Sequence, residues 1–124
     1  MEGLDRIIHE PARLRIMMTL SATDLVDHAQ LCLSLRLTKG NLSSHMSKLE
    51  RAGYVEVVKS YNGKIPHTDY LLTDIGREAL RLYLDALEDI MTLAVARGGG
   101  SIDRSLLAAS DEVWEDSEKV LQAG

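Results

Sequence analysis

Hydrophobic and polar positions follow helical spacing in several short segments of the chain. Pro11 suits the start of a helix over "PARLRIMMTL", because the N–H that it lacks would be unpaired there. Asp27, with Gln30 three residues later, is typical of a capping box that begins the short helix "HAQLCLSL". Thr38 is the expected N-cap of the next helix, "KGNLSSHMSKLERA", and Gly53 is a suitable residue to end it.

The pattern then changes to strand spacing. Two short helices joined by roughly three residues are typical of a helix-turn-helix. After them, "YVEVVKS" alternates and is β-rich, Asn62-Gly63 in "YNGKIPHT" predicts a hairpin turn, and "DYLLT" is the expected returning strand. Thr73 should cap a long helix, "DIGREALRLYLDALEDIMTLAVAR". This order predicts a winged helix, a mainly α fold with a small β-hairpin.

The long helix carries more apolar positions than one face against a small domain needs. Its expected stripe includes Ile75, Leu82 and Tyr83, and further leucines widen it. After the glycines at 98–100, residues 102–121 predict another amphipathic helix. We therefore expect residues 1–73 to form the winged helix-turn-helix part and residues 74–124 the dimerisation part of one compact domain. The candidate dimerisation residues are Leu80, Leu84, Leu87, Met91, Leu106 and Val113.

The net charge of −5 is unevenly distributed over the 124 residues. Residues 36–81 contain 8 Lys/Arg and 5 Asp/Glu, whereas residues 82–124 contain 3 and 9. A polyanion would therefore be attracted to the middle of the chain and repelled by its end. Charge alone leaves open the alternative that the middle is an ordinary solvated surface.

Other chemistry has little support in the sequence. The single cysteine, Cys32, excludes a disulfide within one chain, and the charged N-terminus does not resemble a signal peptide. The longest apolar runs are too short to span a membrane, so we expect a cytoplasmic protein. The four histidines are scattered, and neither a phosphate-binding glycine loop nor a Ser–His–acid set is evident. We therefore expect no enzyme activity, no metal site and no cofactor; an effector ligand cannot be inferred.

The helix after the turn has two contrasting faces. At about 100° per residue, Leu42, Met46 and Leu49 form one apolar stripe. The opposite side has no bulky apolar residue and no acid. Small hydroxyl side chains allow close approach of a helix, and they donate to phosphates and base edges. Helix 39–52 is therefore a candidate recognition helix for the major groove, with a solvated face as the alternative. Its candidate DNA contacts are Thr38, Lys39, Gly40, Asn41, Ser43, Ser44, Ser47, Lys48 and Arg51.

The predicted hairpin has a basic tip. Lys59 and Lys64 flank it, with Tyr61 and Asn62 between them and His67 nearby. A basic ribbon beside a recognition helix suits the phosphate backbone or the minor groove, so residues 59–69 are a candidate wing. The alternative for this segment is an ordinary hairpin, and the alternative for the whole fold is a winged helix that binds another protein and no DNA.

A family resemblance strengthens the first interpretation. The segment "LTKGNLSSHMSKLERAGYVEVVKSYNGKIPHTDYLLTDIGREAL" resembles small winged-helix DNA-binding transcriptional regulators related to the MarR and ArsR groups. The similarity covers roughly residues 4–90 and includes a "GNLSSHLxKLExAGYV" helix and an "LTxxGRxAL" start of the long helix. It implies a dimeric regulator with its recognition helix in the major groove and its wing on the backbone. Two such helices in a homodimer would read a palindromic double-stranded operator. The wing departs from the family, whose members often carry more arginine there, because Ile65, His67 and Asp69 dilute its charge.

Overall fold

The computed structural model of the protein describes residues 4–97. Its elements, in chain order, are α1 (Pro11–Ser21), β1 (Val26–Asp27), α2 (His28–Leu35), α3 (Lys39–Arg51), β2 (Val55–Asn62), β3 (Ile65–Leu72) and α4 (Asp74–Arg97). The predicted winged helix-turn-helix is confirmed, with a long α4 after the hairpin. The expected helix over 102–121 lies outside the described residues, as do Leu106 and Val113.

Side-chain caps fix where the helices begin. The predicted caps Asp27, Thr38 and Thr73 each accept a hydrogen bond from a backbone N–H three residues later, at 2.9, 3.1 and 3.0 Å. Glu10, which the sequence did not single out, caps α1 by accepting from two N–H groups. Each cap satisfies donors that a helix otherwise leaves unpaired, so these boundaries are set locally.

A glycine ends α3. Gly53 has a φ of +81°, a backbone conformation that favours glycine, and its N–H donates to the Glu50 carbonyl oxygen. The N–H of Tyr54 donates to the Leu49 carbonyl oxygen at 3.0 Å. These two bonds form a Schellman motif, which confirms the predicted helix end.

The sheet has three strands rather than the two of the predicted hairpin. Its order is β1-β3-β2, and all pairs are antiparallel. β3 begins at Ile65, opposite Asn62, so Gly63 and Lys64 form the two-residue tip instead of Asn62-Gly63. Gly63 has a φ of +66°, and the type II′ hairpin turn places glycine first. The expected turn was thus wrong by one residue, and the returning strand is longer than predicted.

The core lies between the sheet and helices α1 to α4. The predicted stripe of α3 is confirmed, because Leu42, Met46 and Leu49 are all buried. On α4 the stripe differs from the expected one. Its buried residues are Gly76, Leu80 and Tyr83, whereas the expected members Ile75 and Leu82 are 64% and 54% exposed. Within residues 4–97, no helix is both long and apolar enough to cross a membrane.

Candidate nucleic-acid interface

The outward face of α3 is polar and unoccupied by other parts of the described chain. Its side chains are exposed, and within residues 4–97 five of them make no hydrogen bond or ion pair: Ser43, Ser44, Ser47, Lys48 and Arg51. The buried stripe on the opposite side holds the helix in the core. The fold therefore presents a fixed helix whose polar groups are free to bind a ligand.

A polar network positions the middle of α3. His45, which is half-buried, lies with its Nδ1 3.3 Å from Arg13 Nη1 and 3.6 Å from Glu10 Oε2. The Arg13 Nε–H donates to the carbonyl oxygen of Ile7 at 2.6 Å. These contacts connect α3 to the N-terminus of α1 and to the segment before it. His45 therefore contacts the scaffold and is not directed outwards with the serines.

The Glu10 carboxylate belongs to the same network. Partial burial acts to raise the pKa of Glu10, but two backbone N–H donors outweigh it. Those donors are Arg13 and Ala12, and the charges of His45 and Arg13 act in the same direction, so the pKa is lowered overall. The carboxylate form thus caps α1 and faces His45.

The beginning of α3 is open to solvent. Thr38 accepts from the Asn41 N–H through its hydroxyl oxygen, and its hydroxyl hydrogen is left to donate elsewhere. A Cβ added to Gly40 would have no atom within 4 Å, so the glycine is not required by packing. Backbone N–H groups at a helix N-terminus attract anions such as phosphate. Gly40 therefore lets an anion approach this end closely.

A cleft of about 750 Å³ separates α3 from the hairpin. Ser43 and Ser47 line its α3 side, and Lys59 lines its hairpin side. The charge around it is mixed, because the remaining lining residues include bases and acids: Lys39, His28 and His67 with Glu50 and Asp27. Glu50 is at the side of the α3 face, and Asp27 reaches the cleft from the start of α2. Only the folded arrangement brings Asp27 near the cleft, since its sequence signal was that of a helix cap.

The candidate residues of the hairpin lie in three different places. Lys64 is in the turn, after Gly63, and Tyr61 near the end of β2 is 74% exposed. Lys59 lies further down the ribbon, opposite Thr68, and contributes to the cleft. His67 is held by acids instead: its Nδ1 lies 3.3 Å from Asp27 Oδ2 and its Nε2 lies 3.0 Å from Asp69 Oδ1.

Arg36 is a basic residue that sequence reasoning missed. It is exposed in the turn between α2 and α3 and has a φ of +57°. Its N–H closes α2 by donating to the Cys32 carbonyl oxygen. Arginine has no preference for this left-handed conformation, so no local signal in the sequence could have located it.

The candidate dimerisation residues on α4 differ in accessibility. Leu80 is only 5% exposed and packs into the chain's own core, which leaves little of it for a second copy. Leu84 is 38% exposed, and it lines a shallow apolar groove of about 330 Å³ with Leu87, Met91 and Val95. The groove has no partner in the described residues, and Leu82 and Leu93 are exposed on the opposite side of α4.

Comparison with known proteins agrees with this geometry. A family model described as a winged helix DNA-binding domain matches residues 12–91. The chain belongs to that family. The predicted resemblance to a family of winged-helix DNA-binding domains is thereby confirmed.

Individual relatives of this winged helix domain include an archaeal protein and two solved structures. The uncharacterised protein MJ0432 of Methanocaldococcus jannaschii is 33% identical over 79 residues, which is 64% of this chain and 86% of the relative. The structure of a transcriptional regulator homologue from Pyrococcus horikoshii OT3 is 34% identical, with a TM-score of 0.67 over 71% of this chain and 87% of that one. The YusO protein from Bacillus subtilis shares the fold, with a TM-score of 0.60 at 18% identity, covering 92% and 75% of the two chains.

Proposed function

We propose that this winged helix domain is a transcriptional regulator that binds specific sequences of double-stranded DNA as a homodimer. The observation that carries the proposal is the outward face of α3, where polar and basic side chains have no partner in the described chain. A solvated helix face usually carries intrahelical acid–base pairs, as Arg81 does on α4 with Glu78 and Asp85. The α3 face lacks such pairs in the described structure. The regulator homologue from Pyrococcus horikoshii supports the assignment.

In this proposal, α3 reads the major groove. Arg51 and Lys48, near its C-terminal end, contact guanine or phosphate, while the serines and Asn41 contact base edges and phosphates. The N-terminal end, with Thr38 and Gly40, meets a phosphate through backbone N–H groups. Lys39 is exposed at the first position of α3, where it contacts a phosphate of the same DNA strand.

The hairpin binds the DNA backbone or the minor groove. Lys64 at the tip and Lys59 on the ribbon supply the charges, and Tyr61 and Asn62 supply polar contacts at the tip. His67 has a smaller part in DNA binding than the sequence suggested, because two carboxylates already surround its ring. The acids of the cleft, Glu50 and Asp27, would repel phosphate, so the DNA lies over the helix face and the tip and does not enter the cleft.

Dimerisation uses residues 74–124. Within this region, the apolar groove of Leu84, Leu87 and Met91 supports dimerisation. Exposed apolar patches are typical of protein–protein interfaces. One small module gives limited affinity, whereas two recognition helices about 34–36 Å apart read a palindrome. The operator is therefore proposed to be palindromic.

The test is a selection of binding sequences from random duplexes, followed by titration at several salt concentrations. We expect a palindromic consensus and an affinity that falls steeply with salt, because phosphate contacts release counterions. Binding without sequence preference would contradict the proposal of a sequence-specific regulator. No binding at low salt would instead favour the protein-interaction module, for which the exposed Tyr61 and Ile65 at the hairpin tip are suitable contacts.

A further inference from the structure

We propose that Asp27, His67 and Asp69 form a binding site for a divalent transition-metal ion, with Zn²⁺ as the preferred ion. These side chains lie on two paired strands, since Asp27 of β1 is directly opposite Asp69 of β3. Each can offer one ligand atom, and these atoms all lie within 4.8 Å of one another. In the part of the chain that the structure describes, no other three His, Cys, Asp or Glu residues come together in this way.

The pairing of two acids gives the first physical reason. Like charges directly opposite each other on neighbouring strands are destabilising, unless a cation lies between them. Asp27 and Asp69 stand in that relationship, and both are only partly exposed, at 33% and 17%. The ring of His67 contacts both carboxylates. The site therefore has an excess of negative charge whenever that ring is neutral.

The orientation of His67 gives the second reason. Both of its ring nitrogens face a carboxylate oxygen, at 3.3 and 3.0 Å. A neutral imidazole has one N–H, so one of these contacts would set a nitrogen lone pair against a negative oxygen. A metal ion removes the conflict, because it binds the lone pair and the carboxylates together. The ion thus takes the place of the second proton.

The distances suit this replacement. Zn²⁺ binds imidazole nitrogen and carboxylate oxygen at about 2.0–2.2 Å, so two ligands of one tetrahedral ion are about 3.4 Å apart. The separation of His67 Nδ1 and Asp27 Oδ2 is 3.3 Å. Asp69 is two residues from His67 on the same strand and the same side of the sheet, and it offers a ligand atom within 4.8 Å of those of His67 and Asp27. Water completes the coordination, since the His67 side chain is 40% exposed.

The donor set selects the class of metal. One imidazole and two carboxylates suit Zn²⁺ and neighbouring transition metals, whereas Mg²⁺ and Ca²⁺ prefer oxygen ligands alone. Discrimination between Zn²⁺ and Mg²⁺ therefore tests whether His67 takes part. The sequence did not predict this site, because Asp27 is 40 residues from His67 and only the β1–β3 pairing brings them together.

A consequence for DNA follows from the position of the site. Asp27 and His67 border the cleft between α3 and the hairpin, and Asp27 also caps α2. A bound ion would neutralise the two carboxylates near the DNA-facing side and join the hairpin to the start of the helix-turn-helix. Zn²⁺ should then strengthen DNA binding. This consequence rests on the proposed function, but the binding of the ion does not.

The experiment is a calorimetric titration of the full chain with Zn²⁺, and separately with Mg²⁺, in the absence of DNA. We expect one Zn²⁺ per chain, no comparable binding of Mg²⁺, and a rise in melting temperature with Zn²⁺. His67→Gln and Asp69→Asn should each weaken Zn²⁺ binding at least tenfold. His9→Gln is the matched control, because the His9 ring contacts Tyr83 and not the sheet, and it should bind Zn²⁺ as the wild type does.

Two results would overturn the site. One is a wild-type chain that binds no Zn²⁺. The other is a folded His67→Gln or Asp69→Asn variant with wild-type affinity, which would show that the ion is bound by other acidic residues. Circular dichroism of each variant verifies that it is folded. Because DNA is absent, failure here leaves the DNA-binding proposal untouched, and failure to bind DNA leaves this site untouched.

Discussion

Gly76, in the first turn of α4, lies against the backbone carbonyl oxygen of Tyr54, so closely that a Cβ at position 76 would overlap it. The same oxygen accepts a hydrogen bond from the Thr73 N–H at 3.0 Å, so it cannot move away freely. Glycine at this position therefore allows α4 to start beside the end of α3. This contact sets how the long helix joins the helix-turn-helix.

Replacing Gly76 by alanine should therefore destabilise the fold. The clash involves backbone and the buried Leu72 side chain, so we expect a loss of about 2 kcal/mol or more in the free energy of unfolding. Gly40→Ala is the matched control in another helix. The Cβ added at position 40 meets no atom within 4 Å, so this substitution should raise the free energy of unfolding by up to about 1 kcal/mol. Urea denaturation measures both, and equal effects would contradict the packing argument.

Alanine substitutions on the outward face of α3 should weaken operator binding without unfolding the protein. Arg51→Ala and Ser44→Ala each remove an exposed side chain that has no partner in residues 4–97. A lost base contact typically costs about 1–3 kcal/mol of binding free energy. Arg81→Ala is the control, because the Arg81 guanidinium is already paired with Glu78 and Asp85. Unchanged affinity in both α3 variants, measured by fluorescence anisotropy, would remove this face from the interface.

The hairpin tip should contribute charge and not sequence preference. Lys64→Ala should lower the affinity for all duplexes almost equally, and it should reduce the slope of log affinity against log salt by about 1. Anisotropy titrations on two unrelated duplexes at several salt concentrations provide the measurement. If the variant changed which duplex is preferred, the tip would be reading bases.

The apolar groove on α4 should hold the dimer together. Leu87→Glu combined with Met91→Glu places charge in the groove and should give monomers that remain helical but bind the operator far more weakly. Leu33→Glu is the control, since Leu33 is 73% exposed on α2, away from the groove. Sedimentation velocity at micromolar concentration measures the oligomeric state. A wild-type chain that sediments as a monomer would refute the dimer.

Alkaline pH should destabilise the protein partly through Tyr54. Burial and the hydrogen bond to Asp5 raise the pKa of Tyr54 from 10.0 to about 12. Because the folded pKa is the higher one, this contribution is fully present below pH 10 and is lost as the pH rises from about 10 to 12. Urea denaturation across that interval should show a shallower fall for Tyr54→Phe than for the wild type. The exposed Tyr61→Phe should follow the wild type; if it also flattens the curve, the effect is not local.

Elements with local signals were predicted well. The bounds of α3 follow from the Thr38 cap, the Gly53 terminator and the stripe of Leu42, Met46 and Leu49, all of which lie within the helix or next to it. By contrast, the two-residue β1 has no signal of its own. It forms because Val26 pairs with Tyr70, a contact 44 residues apart in the chain. The sequence could not indicate that pairing, because strand pairing depends on how the intervening helices pack.

The candidate DNA interface could be predicted only in part, because some of its residues meet neighbours that are distant in the sequence. The unpaired side chains of α3 could be assigned from the helical wheel, because burial of one face exposes the other. The position of His67 could not, since its neighbours Asp27 and Asp69 approach it only through the sheet. The DNA contacts assigned to α3 and the hairpin stay a prediction, as do the dimer contacts assigned to α4.

The sequence by itself determined where the helices begin and end and which face of α3 is buried, because caps and side-chain periodicity act within a few residues. It also determined the family. Only the tertiary structure decided which apolar residues of α4 are buried. Leu80 is buried, whereas Leu82 is exposed. Only the tertiary structure brought two acids and a histidine together beside the cleft. Those outcomes depend on the angle at which distant segments meet, and that angle is set by packing of the whole core.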